Sequence, residues 1–196
     1  MRVGNIEFGY SIEAKGKTPS LFQQVHGTKI LQYPRESTDL LEADGGMTSE
    51  KNLELFVFSA DCMPALFFSE EPEAPIVAVH SGWRGTKDGI LKAASSQFKN
   101  PSTTHVWIGP HIRPCCFEVK QDFIDAFKAA GRVPEPFLSS ESHFDLLAFA
   151  LATDLMGIGN LHLEDVNCTV CSTPKLPSYR RQKSTDPRIR SWIRKT

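Results

Sequence analysis

The sequence predicts an α+β layered sandwich. Short apolar runs rich in Phe and β-branched residues crowd the first half of the chain, helical spacing enters only near Thr86, and strands and helices then mix without a regular βαβ alternation. A chain of 196 residues can bury one sizeable core, so a single domain over residues 1–196 is expected.

Strands are expected at Ile6–Ser11 and Lys29–Gln32, which alternate partly, and at Leu53–Ser59 and Ala65–Phe68, which are continuously apolar. The Asp61-Cys62-Met63-Pro64 turn should separate the last two, with Pro64 blocking the ladder. Ile76–Val79 is a further β-branched run that ends at His80. Thr86–Phe98 reads as a helix with Ile90, Leu91 and Ala94 on one face, stopped by Asn100-Pro101. His105–Ile108 is a strand feeding the Gly109-Pro110 turn. Asp122–Ala130 is helical and stops at Gly131; Asp145 caps another helix running to about Met156, ended by Gly157 and Gly159. Leu161–Val166 and Ile189–Ile193 are the final expected strands.

Composition narrows the function. A net charge of −1 supplies no broad pull toward nucleic acid or anionic membrane, so neither is expected as a partner. No apolar stretch is long enough to span a bilayer, and Met1–Glu7 lacks the apolar core of a signal peptide, so a cytoplasmic protein is expected. Five cysteines in such a setting read as metal ligands, reactive thiols or small buried residues rather than disulfides. The basic run Arg180, Arg181, Lys183, Arg188, Arg190, Arg194 and Lys195 is either a solvated tail or an anion-binding surface.

Three motifs carry chemistry: Gln24-Val25-His26-Gly27, Ala60-Asp61-Cys62-Met63-Pro64 and His80-Ser81-Gly82-Trp83-Arg84-Gly85. His26, Cys62 and His80 each fall at the end of an expected strand beside Gly or Pro, where strand ends can bring distant residues to a common centre. One thiolate and two imidazoles suit zinc, and three protein ligands leave the fourth position of a catalytic site open. The bland alternative is that each histidine is structural and Cys62 a small buried hydrophobe. Arg84 can grip an anionic oxygen, and Trp83 stacks or packs. Asp61 orients a ligand histidine, accepts a proton or caps a turn. Asp44, in Ala43-Asp44-Gly45-Gly46, most simply makes an Asp-Gly turn.

Cys168-Thr169-Val170-Cys171 has metal-knuckle spacing. A second such pair would complete a zinc site, but the vicinal pair Cys115-Cys116 has the wrong spacing. Cys115 and Cys116 are therefore read as buried packing, with redox-sensitive thiols near the site as the alternative, and a second structural zinc is not expected.

In combination these segments resemble the YfiH-type family, whose members are also called laccase-domain or polyphenol oxidase proteins. The resemblance rests on QVHG at 24–27, ADG at 43–45, ADCMP at 60–64, HSGWRG at 80–85, GPHIRPCCFEV at 109–119 and SYRR at 178–181. It implies a four-layer α/β/β/α mixed sandwich and a zinc ion held by His26, Cys62 and His80, with copper the less favoured metal. It also implies an enzyme that phosphorolyses adenosine, inosine, guanosine and methylthioadenosine, using phosphate, and that deaminates adenosine; a monomer is expected. Asp61, Arg84 and His111 are the candidate catalytic residues on this reading, with Asp44, Arg84 and Arg181 toward substrate. The chain departs from the family pattern in a shortened N-terminal segment before Gln24, in Ser81, and in His111 and Arg113.

Rival functions use the same residues. A laccase-like copper enzyme finds a His₂Cys set, but a multicopper centre needs many more imidazoles than six histidines provide. Cys62 with His80 is also a nucleophile–base pair, suited to a hydrolase that edits peptidoglycan precursors. A non-enzymatic redox or binding module would use the odd cysteine count.

Overall fold

The computed structural model describes residues 1–36, 39–140 and 142–196. In chain order, β1 (Arg2–Val3) and β2 (Ile6–Glu13) form a hairpin, followed by β3 (Ile30–Gln32), β4 (Gly45–Thr48), β5 (Glu54–Ser59), β6 (Met63–Ser69) and β7 (Ile76–Ser81). Helices α1 (Trp83–Asp88) and α2 (Ile90–Ser95) precede β8 (Thr104–Ile108) and α3 (Gln121–Ala129). The rest comprises β9 (Leu138–Ser140), β10 (His143–Phe144), α4 (Leu146–Thr153), β11 (Asn160–His162), the single turn α5 (Tyr179–Gln182) and β12 (Arg188–Lys195).

Two sheets carry the fold. One has four antiparallel strands in the order β1-β2-β12-β5; the other has six in the order β11-β8-β6-β7-β4-β3, parallel at its two outer pairs and antiparallel inside. β6 and β7 are buried along their whole length, which explains their unbroken apolar sequence. Their side chains divide by the period of two. Leu66, Phe68, Ile76 and Ala78 point at the four-stranded sheet and meet Phe8, Leu55, Val57 and Ile193. Met63, Ala65, Phe67, Val77 and Val79 point at the helices and meet Ile90, Leu91, Phe127, Phe144 and Phe149. The α+β class and the packed sheets are those the sequence predicts.

Local differences have local causes. The helix expected over 86–98 is two helices, because Gly89 adopts a left-handed conformation (φ 93°) that ends α1 and caps α2. Pro64 does not block a strand: it sits second in β6, opposite His80, and its carbonyl still accepts from Gly109 N–H (3.1 Å). The Asp-Gly turn expected at 44–45 is instead the start of β4. A Cβ on Gly45 would lie 2.8 Å from Val79 Cγ1, so glycine there serves close strand packing. Asp145 caps α4 as expected, accepting from Ala148 N–H (3.0 Å).

Candidate metal centre

His26, Cys62 and His80 come from three segments that meet where β5, β6 and β7 end. Gln24 fastens the first segment: its side-chain amide donates to the Phe58 carbonyl (2.7 Å) and accepts from Phe58 N–H (2.9 Å) at the end of β5. Cys62 precedes β6 and His80 lies within β7, so both inherit the rigidity of the buried sheet. His26 and Asp61 hold positive φ values of 64° and 91°. Such conformations cost non-glycine residues free energy and persist only where their surroundings enforce them.

The enforcement is visible. The buried carboxylate of Asp44 accepts from the backbone N–H groups of Val25 (3.1 Å), His26 (2.9 Å) and Gly27 (2.6 Å), and from His80 Nδ1 (2.8 Å). A carboxylate surrounded by donors can only accept, so His80 carries its proton on Nδ1 and turns Nε2 to the centre. Asp61 is held by Thr169 Oγ1 and by Arg180 N–H, each donating to one of its two oxygens. Gly82 completes the fit: a Cβ there would lie 2.8 Å from His26 Cδ2 and 3.0 Å from Cys62 Sγ.

The three donor atoms lie within 4.8 Å of one another, and Cys62 Sγ stands 3.7 Å from His26 Nε2. Tetrahedral zinc, with Zn–S of about 2.3 Å and Zn–N of about 2.0 Å, separates S and N ligands by about 3.5 Å. The donor set therefore fits one such ion with an open position. It does not fit a multicopper cluster: His105 and His162 contact each other at 3.0 Å elsewhere, and among the described residues no further histidine joins a metal-ligating group. Burial pushes the Cys62 thiol up, but the charge of His80 and hydrogen bonds from His26 and His80 outweigh it and bring it down to about 6. Burial likewise pulls His80 down, while the Cys62 thiolate and Asp44 raise it to about 9. Burial opposes ionisation of Asp44, yet its bonds to His80, Gly27 and His26 hold its carboxyl below the usual range.

A cavity of about 680 Å³ opens over the centre. His26, Asp61, Cys62, His80 and Arg84 line it. Phe22, Phe58, Phe117 and Tyr179 give it aromatic walls; Arg180, Lys183 and Arg188 join Arg84 as its cations. The Arg84 guanidinium stacks over Trp83 at 4.4 Å, and Trp83 itself packs on Phe123 at 5.2 Å. The basic run thus divides, because Arg190 and Arg194 of β12 pair with Glu54 and Glu7 instead.

Three residues read as catalytic or substrate-binding stand apart from this cavity. Asp44 lies behind the centre with both oxygens engaged and orients His80, which was one of three roles the sequence left open for Asp61. His111 is buried, its Nδ1 donating to the Gly109 carbonyl (2.8 Å), and burial holds it down at about 4, with Arg113 adding to the effect. Arg181 spends its guanidinium on the carbonyls of Thr169, Val170 and Leu176. Sequence reasoning placed Gln24 and Gly82 in the motifs and Arg180 in the basic run, but it assigned none of them the contacts they make here.

Residues 9–195 match the family described as multi-copper polyphenol oxidoreductase laccase. A purine nucleoside phosphorylase of Clostridium acetobutylicum is 31% identical over 184 residues, covering 90% of this chain and 77% of the relative. The Escherichia coli purine nucleoside phosphorylase YfiH is 31% identical over 189 residues, covering 92% and 76%. Among solved structures, a Neisseria meningitidis protein superposes with a TM-score of 0.76 at 29% identity, covering 90% of this chain and 74% of that one. YlmD of Geobacillus stearothermophilus shares the fold, with a TM-score of 0.74 at 21% identity over 97% and 92% of the two chains. On sequence across nearly its whole length, the chain belongs to the laccase-domain family that includes YfiH.

Proposed function

We propose that this chain is a zinc-dependent purine nucleoside phosphorylase that also deaminates adenosine, with His26, Cys62 and His80 as the zinc ligands. The observation that carries the reading is the pairing of a three-donor centre with a cavity lined by both aromatic rings and cationic side chains. A volume of about 680 Å³ lies within the range of small-ligand sites. Relatives named as purine nucleoside phosphorylases, matched over 77% and 76% of their own length, support the choice of substrate.

When bound, zinc supplies Lewis acidity at its open position. The chain supplies the rest. Asp44 fixes the tautomer and ring plane of His80, and Gln24 and Asp44 together hold the His26 loop. Phe58 and Tyr179 receive the base, while Arg84, Arg180 and Lys183 hold phosphate beside the ribose. Phosphate oxygen then bonds to C1′ as the bond to the base nitrogen breaks, giving ribose 1-phosphate and free base. Asp61, on the cavity wall, is the proton-transfer group; for deamination it serves the water that replaces ammonia at C6 of adenine. Purine nucleosides of this kind, adenosine, inosine, guanosine and methylthioadenosine, are the proposed substrates.

Incubating zinc-loaded protein with adenosine, with and without phosphate, tests the proposal. Phosphate-dependent adenine is expected, together with inosine that forms without phosphate. Arg84→Ala should raise the KM for phosphate about tenfold or more, with a smaller change for adenosine. Absence of both products from protein carrying its zinc overturns the reading.

A further inference from the structure

The sequence separates Cys115-Cys116 from Cys168-Thr169-Val170-Cys171 by more than fifty positions, and neither pair makes a site alone. The fold unites them. After β8 the chain runs through Gly109-Pro110 into a parallel bridge between His111 and Cys168, closed by His111 N–H to the Asn167 carbonyl (3.2 Å) and Thr169 N–H to the His111 carbonyl (3.1 Å). Immediately beyond it, both segments turn. Cys116 and Phe117 N–H return to the Arg113 carbonyl, and Ser172 N–H returns to Cys168. The bridge sets these two turns side by side.

As a result the four sulfurs lie within 4.8 Å of one another, and Cys115 Sγ stands 3.5 Å from Cys171 Sγ. That spacing is far too long for a disulfide, whose sulfurs are about 2.0 Å apart. It is close to the edge of a zinc tetrathiolate: Zn–S bonds of about 2.3 Å in a tetrahedron set neighbouring sulfurs about 3.8 Å apart. The backbone N–H groups of Arg113, Val170 and Cys171 are directed at Cys168. Donors on a knuckle sulfur are what a metal-bound thiolate needs, since its negative charge is otherwise unbalanced. Cys168 is buried, whereas Cys115 and Cys171 reach the surface, so the cluster has both a shielded inner ligand and a path for the ion to enter.

We infer that Cys115, Cys116, Cys168 and Cys171 form a second, closed zinc site with a structural role, separate from the open centre at His26, Cys62 and His80. Its place in the fold says what it braces. The Cys168–Cys171 turn presents Thr169, whose hydroxyl donates to Asp61, and Arg181 clamps the same turn through the Thr169 and Val170 carbonyls. A tetrathiolate there fixes the wall of the cavity on which Asp61 stands, beside Cys62. The vicinal pair is an unusual ligand spacing, and it works here because consecutive residues of a tight turn need only present both sulfurs to one side.

Zinc content separates the two sites. Protein prepared under reducing conditions and dialysed against metal-free buffer is expected to hold two zinc ions per chain by mass spectrometry. Cys62→Ala should hold one, and its cobalt-substituted form should show the intense thiolate-to-cobalt charge transfer of several sulfur ligands. Cys115→Ser/Cys171→Ser should lose that signal and melt at a lower temperature. The Cys62→Ala protein keeps all four cluster cysteines, so the test stands even if the double variant fails to fold. Metal-free Cys62→Ala, rapid alkylation of the four cysteines in zinc-loaded protein, or a disulfide among them would each overturn the assignment. Loss of nucleoside turnover alone would leave it intact, because the readout is metal rather than activity.

Discussion

Asp44 serves two histidines with one carboxylate, and the consequences are measurable. Replacing it by Asn puts an amide NH₂ where backbone N–H groups already point, so two donors face each other and His80 loses its charged acceptor. Asp44→Asn should weaken zinc binding at the open centre about 10- to 100-fold, read by competition with a chelating dye. Unchanged affinity would show that the imidazole holds its orientation without the carboxylate. Acidity gives a second check. In metal-free protein the Cys62 thiol is lowered from 9.0 to about 6, chiefly by His80 working against burial. The thiolate is the reactive form, so alkylation of Cys62 by iodoacetamide should rise as pH climbs through about 6 and level off above it. In His80→Ala the midpoint should move back up toward the ordinary thiol range. A midpoint near 9 in the unmodified chain would contradict the pairing. At this scale the sequence was legible where a residue announced itself locally. Cys62 and His80 stand at adjoining ends of β6 and β7, and His26 lies in the loop before β3 next to Gly27. The Asp-Gly turn read at Asp44 failed because its four donors come from two distant segments, and the burial of His111 has no local mark.

Elements were legible in proportion to how much of their pattern was their own. β6, β7 and α3 were recovered to within about two residues at each end because burial on both faces, or on one stripe, is written directly into the apolar spacing. β4 was lost because glycine reads as a turn, whereas Gly45 is there to let a neighbouring strand approach. The expected strand at 161–166 shrinks to the three residues of β11, Asn160–His162, paired to β8 at His105–Trp107. The cysteine pairs illustrate the same limit. Each turn is local, but the bridge that aligns them joins His111 to Cys168, and no periodicity carries that information.

For the molecule as a whole, β12 decides whether the four-stranded sheet exists. It pairs with β2 from Arg188 opposite Glu13 to Lys195 opposite Ile6, and with β5 from Ile189 opposite Ser59 to Arg194 opposite Glu54. Ile189 and Ile193 enter the core, and Lys195, itself buried, donates to the carbonyls of Pro72 and Ala74. A chain cut after Pro187 should therefore lose its cooperative thermal transition and its retained zinc, which circular dichroism and metal analysis would report. A sharp melt within a few degrees of the full chain would show that β2 and β5 close the sheet without it. The same placement bears on synthesis. A ribosome delivers β2 early and β5 soon after, but the strand that belongs between them emerges after every other element. Until then the nascent chain carries two facing, unpaired strand edges and a slot one strand wide, open to any extended segment that reaches it first.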